Sequence, residues 1–238
     1  MDRWLTRLLS AIALIIVVAF LTGCAPEPAT TEGARVKALY DTFMVAAVVV
    51  FALVAGLIGW SIVRYRARDD GREASTAHGN IGLEVAWWSL PTLLVIGLFI
   101  LTAQVLATVD RRTDDPPLTV TVTGFQWQWQ FAYADTDVVL TGSTDGGPEL
   151  VLPVGERIAF DLESPDVIHA FWVPQFLIKR DIIPGKTNRI ELTIQEPGTY
   201  RGQCAEFCGL LHDRMTFSIR AVPADEFRTW LSQQGGGG

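Results

Sequence analysis

The sequence predicts two membrane-spanning helices followed by an all-β domain, and three observations carry that expectation. Thr42–Val63 and Val85–Val109 contain no Asp, Glu, Lys or Arg, and each is long enough to cross a hydrocarbon core that needs about 20 apolar residues. Beyond Asp110, short stretches alternate apolar and polar residues with a period of two, separated by Gly and Pro turn signals. The charge divides at the same point: residues 1–109 carry 8 basic and 8 acidic side chains, residues 110–238 carry 11 and 18, so the whole net charge of −7 belongs to the C-terminal part.

Residues 1–23 read as a signal peptide. Arg3 and Arg7 precede the short apolar run Leu8–Phe20, and Leu21-Thr22-Gly23-Cys24 resembles a bacterial lipobox, which would place cleavage before Cys24 and a lipid on it. Residues 24–41, with Pro26 and Pro28, are expected to form an extracytoplasmic tether. The first span is 42–63 and the second 85–109. Gly56, Gly59 and Gly97 would permit close helix approach, and Pro91 a local kink. The link 64–84 carries Arg64, Arg66, Arg68 and Arg72 and is expected on the cytoplasmic side. A lipidated Cys24 outside the cell, or an uncleaved N-terminal helix starting inside, both leave residues 110–238 extracytoplasmic.

The domain 110–223 shows the strand pattern most clearly at Ile158/Phe160/Leu162, Ile190/Leu192/Ile194 and Phe217/Ile219/Ala221. Evenly spaced short strands suggest a sandwich or barrel. Leu118, Val120 and Val122 are apolar at even positions, but after Gly124 the apolar set moves to odd ones: Phe125, Trp127, Trp129, Phe131 and Tyr133. A phase change at glycine reads as a bulge or sharp bend in one strand. Residues 224–238 are expected to form a short helix, with Phe227, Trp230 and Leu231 on one face, and a disordered glycine tail.

The acidic balance argues against a nucleic-acid partner, whose phosphates require basic patches, and could steer a cationic one. Neither span has an ionisable residue in its interior, so proton relays through the membrane would belong to a partner subunit.

The densest chemistry lies in Cys204-Ala-Glu206-Phe-Cys208-Gly-Leu-Leu-His212-Asp-Arg-Met215. Two thiols, an imidazole and a thioether fall within one short segment, and His169 lies upstream in an apolar stretch able to fold back on it. Soft and borderline ligands of this kind suit copper rather than a hard cation. A disulfide is the plain alternative in an oxidising compartment, but gives no use to Glu206, His212 and Met215. Zinc accepts two Cys and two His and leaves Met215 unexplained. A mononuclear blue-copper site needs only one thiolate. Two copper ions bridged by both thiolates, each with one histidine, use the full set, and suit single-electron transfer rather than substrate binding. A membrane-anchored copper-binding or copper-delivery protein is the alternative from a different functional class.

On these residues the chain resembles subunit II of bacterial cytochrome c oxidase, the heme–copper terminal oxidase. The Cys–Glu–Cys–His–Met spacing matches that family's motif without a gap. Asp166-Val-Ile-His169-Ala-Phe-Trp172-Val-Pro174 is similar to the segment bearing its other histidine, Gly124-Phe-Gln-Trp127-Gln-Trp129 to its aromatic segment, and Leu83-Glu84-Val-Ala-Trp87 with Pro91 to its second-helix entry. The resemblance implies a cupredoxin-like Greek-key sandwich after a two-helix hairpin, holding the dinuclear CuA centre. His169, Cys204, Cys208, His212 and Met215 would be side-chain copper ligands. Glu206 would ligate copper through its main-chain carbonyl and reach a magnesium ion shared with subunit I through its carboxylate. Trp127 would receive electrons from cytochrome c. Glu84 would lie near the mouth of a proton channel in subunit I, although a carboxylate at a helix start also has a capping role. Heme would belong to the partner subunit alone, and the complex would sit in the bacterial cell membrane.

Overall fold

The computed structural model describes Trp4 and residues 26–66, 79–142 and 146–235. The expected signal peptide (1–23) apart from Trp4, Cys24, the link residues Arg68 and Arg72, and the last glycines 236–238 lie outside the described residues.

Two helices, α1 (Thr31–Arg64) and α2 (Ile81–Val109), are each long and apolar enough to cross a membrane. Both start upstream of the uncharged runs. Asn80 caps α2, its Oδ1 accepting from the amides of Gly82 at 3.0 Å and Leu83 at 3.3 Å. Thr30 caps α1 by accepting from the Gly33 amide at 3.0 Å. The expectation of a tether over 24–41 is therefore corrected from Ala29 onward. Ala29 donates to the Gln175 carbonyl at 2.8 Å and accepts from the Gln195 amide at 2.9 Å, Thr30 bridges to Ile194, and helix follows. Hydropathy could not mark this start, because a helical turn packed on a water-exposed domain needs no apolar residues.

Among the described residues the β domain has ten strands: β1 (Leu118–Phe125), β2 (Gln128–Tyr133), β3 (Val139–Thr141), β4 (Glu149–Pro153), β5 (Arg157–Glu163), β6 (His169–Val173), β7 (Ile178–Ile182), β8 (Asn188–Thr193), β9 (Gly198–Cys204) and β10 (Thr216–Val222). They form two five-stranded sheets, ordered β3-β2-β1-β5-β8 and β4-β10-β9-β6-β7. One continuous core fills the space between them. Its centre is aromatic: the Trp129 ring meets Phe217 edge-on at 5.1 Å, and Phe171 stacks on Phe217 at 4.9 Å. Each such side chain removed from water contributes on the order of 1.5–3 kcal/mol. The alternating sets at 158/160/162, 190/192/194 and 217/219/221 are all buried.

The phase change near Gly124 has a different cause from the one expected. It is a tight hairpin, not a bulge in one strand. β1 and β2 pair antiparallel with Phe125 opposite Gln128, and Gln126-Trp127, joined by a cis peptide, make the turn. Partners across this turn have opposite parity (Val122 with Phe131, Val120 with Tyr133), so one face of the hairpin reads even on the way in and odd on the way out. Trp129 is buried in the core, whereas Trp127 sits half-buried in the turn. A final helix, α3 (Ala224–Gly235), lays Phe227 and Trp230 against Tyr133, with ring centres 6.2 and 5.5 Å away.

Candidate metal centre

Sheet order brings the candidate ligands together. β9 lies between β10 and β6. Cys204 ends β9 opposite Phe171 of β6, and His169 begins β6 on the same strand face as Phe171. The segment after Cys204 loops out and returns as β10. It is closed by the Cys204 amide donating to the Met215 carbonyl at 2.9 Å and the Ala205 amide donating to the Ala170 carbonyl at 3.2 Å. A single 3-10 turn, His212–Arg214, carries the second imidazole back toward the thiols.

The resulting cluster contains every expected soft ligand. The sulfurs of Cys204 and Cys208 are free thiols 3.9 Å apart. His169 Nδ1 is 3.9 Å from Cys204 Sγ, and the Glu206 carbonyl is 3.2 Å from the same sulfur. His212 Nδ1 is 3.6 Å and Met215 Sδ 3.8 Å from Cys208 Sγ. His169, Cys204, Cys208 and Met215 are buried, while His212 is half-buried. The thiols thus form the middle of the cluster, with one imidazole beyond each. The donor set fits soft metal: two sulfurs at the centre, two nitrogens beyond them, and a thioether and a carbonyl as weaker donors.

The electrostatics are those of a site that ionises readily once. Burial pushes the Cys204 thiol up, but its hydrogen bond with His169 and those from the Glu206 and Ala170 main chain outweigh it, so its pKa falls below the usual thiol range. Cys208 is driven up by burial and then by the charge on Cys204. Burial alone would lower the His169 pKa, yet Cys204 and Asp166 raise it.

Trp127 stands at the rim of this cluster. Its indole N–H donates to the Cys208 carbonyl at 3.2 Å, and the Gln126 side-chain amide donates to the same oxygen at 2.8 Å. Gly209, at φ +122°, lets this turn approach: a Cβ there would stand 3.2 Å from the Trp127 ring and Gln126 Nε2. Trp129 donates instead to the Met215 carbonyl from within the core. Glu206 also presents its carboxylate outward, where Lys179 binds it at 3.0 Å. Glu84 lies in the first turn of α2, a position that favours a carboxylate whatever else it does.

Two polar partners of the cluster were not singled out from sequence. Asp166 hydrogen-bonds the His169 ring at 2.9 Å, and Gln126 ties the tryptophan turn to the thiol loop. The available signal for the first was a carboxylate three residues before a candidate ligand histidine.

Comparison with known proteins agrees over most of the chain. A family model described as the transmembrane domain of cytochrome C oxidase subunit II matches residues 19–105, and one described as its periplasmic domain matches residues 143–222. Cytochrome c oxidase subunit 2 of Alkalihalophilus pseudofirmus is 33% identical over 92% of this chain, which spans 66% of that protein's length. A probable cytochrome c oxidase subunit 2 of Streptomyces coelicolor is also 33% identical, over 94% of this chain and 86% of its own. Among solved structures, the periplasmic domain of subunit II of the Bradyrhizobium japonicum oxidase is 34% identical over 52% of this chain and 96% of its own, with a TM-score of 0.47.

Proposed function

The chain belongs to the cytochrome c oxidase subunit II family, and we propose that its β domain, on the extracytoplasmic side of a bacterial cell membrane, takes electrons singly from a cytochrome c and hands them to heme in subunit I. Reduction of oxygen to water and the coupled proton translocation then occur in the assembled complex. The chain is a membrane protein and a component of an oxidoreductase assembly. The single observation that carries the electron-transfer reading is the pair of free thiols 3.9 Å apart with an imidazole nitrogen beyond each.

His169, Cys204, Cys208, His212 and Met215, with the Glu206 carbonyl, would hold two copper ions, which supply a one-electron couple when bound. The protein's own contribution is a rigid, partly dry setting. Cys204 and Met215 are tied main chain to main chain at the root of the loop, so strand pairing sets the first thiol, while the Gln126 and Trp127 side chains hold the main chain of the second. Trp127 would be the entry point. It is the half-buried ring of the turn, and its indole N–H is hydrogen-bonded directly to the residue bearing the second thiol. The Glu206 carboxylate would face subunit I and a shared magnesium ion, exchanging Lys179 for it on assembly. Glu84 would lie near the proton-channel mouth of subunit I. Cys24 would carry a lipid after removal of residues 1–23.

The test is metal analysis and spin resonance on the purified chain, with its thiols reduced before copper is added. Two copper ions per chain and an electron-spin signal shared over both nuclei are expected, and Cys208→Ser should abolish the shared signal. A hyperfine pattern from one copper nucleus in the wild type rejects the dinuclear assignment.

A further inference from the structure

We propose that Asp166 is a positioning residue of the metal centre, holding His169 in the one tautomer able to ligate and anchoring the Trp127 turn with the same carboxylate. The inference rests on the copper reading above and deepens it.

The His169 ring is 0% exposed, so neither nitrogen can be satisfied by solvent. Its Nε2 lies 2.9 Å from Asp166 Oδ1, and its Nδ1 faces Cys204 Sγ. An ionised carboxylate only accepts hydrogen bonds. Nε2 must therefore carry a proton, and Nδ1 is the nitrogen that turns its lone pair to the thiols once the imidazole is neutral. In the other tautomer a proton would occupy the ligating position, and Nε2 and Oδ1 would confront one another as two acceptors.

The carboxylate is itself fixed. Oδ1 also accepts from the Val167 amide at 2.6 Å and lies 3.1 Å from the Ser164 hydroxyl, while Oδ2 accepts from the Gln126 amide at 2.7 Å. That last bond reaches the Gln126-Trp127 turn, whose two side chains converge on the Cys208 carbonyl. One carboxylate thus joins three segments: β6 with its histidine, the tryptophan turn, and through that turn the thiol loop. Gly124 permits the close approach, since a Cβ there would stand 3.3 Å from both the His169 and Trp129 side chains. The arrangement is one-sided. Among the described residues no carboxylate hydrogen-bonds the His212 ring, which instead meets Phe207 edge-on at 5.8 Å. The two imidazoles are therefore unequal by construction, with His169 the stiffer and more electron-rich donor.

An anionic partner behind a ligating histidine raises the ligand's basicity and its affinity for metal. The experiment compares the full chain in detergent, wild type against Asp166→Asn and Asp166→Ala, before and after copper loading. With reduced thiols, no metal and alkaline buffer so that the rings are neutral, nitrogen-15 spectra of the three histidines should show His169 solely as the Nε2–H tautomer in the wild type and as a mixture in Asp166→Ala. After loading, both variants should bind copper about 10–100-fold more weakly and show a higher reduction potential. One histidine nitrogen coupling should change while the other is kept. If Asp166→Ala does not fold, the near-isosteric Asp166→Asn decides the matter. Wild-type tautomer, affinity and potential in a folded variant, with only the salt dependence of cytochrome c oxidation altered, would make Asp166 a surface charge and overturn the proposal. A wild type in the Nε2–H form that takes up no copper would overturn the copper reading alone.

Discussion

Replacing Arg157 with alanine tests how the β domain grips the segments that lead to its two helices. The Arg157 guanidinium lies 2.9 Å from Glu32 at the start of α1 and 2.7 Å from Glu191 on β8, and donates to the Arg111 carbonyl, just beyond α2, at 2.8 Å. The two carboxylates are nearly enclosed, with side-chain exposures of 5% and 1%, and the arginine is 25% exposed. Each carboxylate also takes a main-chain amide, Glu32 from Thr193 and Glu191 from Thr113. Removing the cation leaves two buried anions with only those amides. Breaking a buried pair from one side costs about 3–5 kcal/mol, and water reaching the vacated guanidinium position favours the lower end, about 3 kcal/mol. At about 2–4 °C per kcal/mol for a domain of this size, the melting temperature should fall by about 6–12 °C. The pH dependence supplies a second signature. Burial raises the Glu191 pKa, but Arg157 and the Thr113 amide more than offset it and hold it below the usual range. A depressed carboxylate contributes stability that is present above its unfolded pKa, about 4.3, and is lost as pH falls through the folded value. Without Arg157, burial dominates, the pKa moves up, and mild acid should stabilise the variant while it leaves the wild type unchanged or weaker. Thermal melts followed by near-UV circular dichroism between neutral and mildly acidic pH measure both effects. A melting point within about 2 °C of wild type, less than 1 kcal/mol on that scale, together with an unchanged pH slope, would refute the assignment.

Further outcomes follow from single residues. Tyr133 donates to the Val151 carbonyl at 2.8 Å and accepts from the Val151 amide at 3.0 Å, so Tyr133→Phe should cost about 1–3 kcal/mol in denaturant unfolding. Burial also holds its phenol well above the usual tyrosine range, so an alkaline absorbance titration should show a phenol that resists ionisation and that is missing in the variant. A Cβ on Gly202 would collide with the Phe217 ring, itself wedged against Phe171 and Trp129. Gly202→Ala should therefore destabilise the domain by about 1–3 kcal/mol in the same unfolding assay. Trp127→Phe removes the indole N–H that reaches the Cys208 carbonyl. Stopped-flow oxidation of cytochrome c should slow while the copper spectrum is kept, and an unchanged rate would exclude Trp127 as the entry point.

The parts of this protein that were legible in its sequence are those set by local periodicity or by ligand chemistry packed into one segment. Ile158, Phe160 and Leu162 announce a strand because alternation alone decides which face is buried. Cys204 to Met215 announce a candidate metal site because the donors are close in sequence and no other role uses all of them, and the fold brings those donors together. The Gly124 region shows where the same rule falls short. Opposite parity on its two sides is what a tight hairpin and a bulge both produce, and only pairing of Val122 with Phe131 separates them.

The polar partners that hold the domain and its candidate site have no periodicity to betray them. Glu32 and Arg157 are separated by 125 positions, and Gln126 and Asp166 by 40. In the sequence Glu32 looks like part of a solvated tether and Asp166 like a turn residue. Glu32 becomes informative only when sheet pairing encloses its charge, which must then find partners or lose its ionised state, and Asp166, which stays exposed, only when pairing sets the buried His169 ring against it. The same physics explains why such residues matter. A buried ligand set can be specified by its donors alone, but its orientation depends on groups that accept the remaining hydrogens. The centre should therefore tolerate conservative changes in the apolar core around Phe171 more readily than the loss of the single carboxylate at Asp166. The first removes packing that neighbouring rings can share, and the second removes the acceptor that fixes where a histidine proton resides.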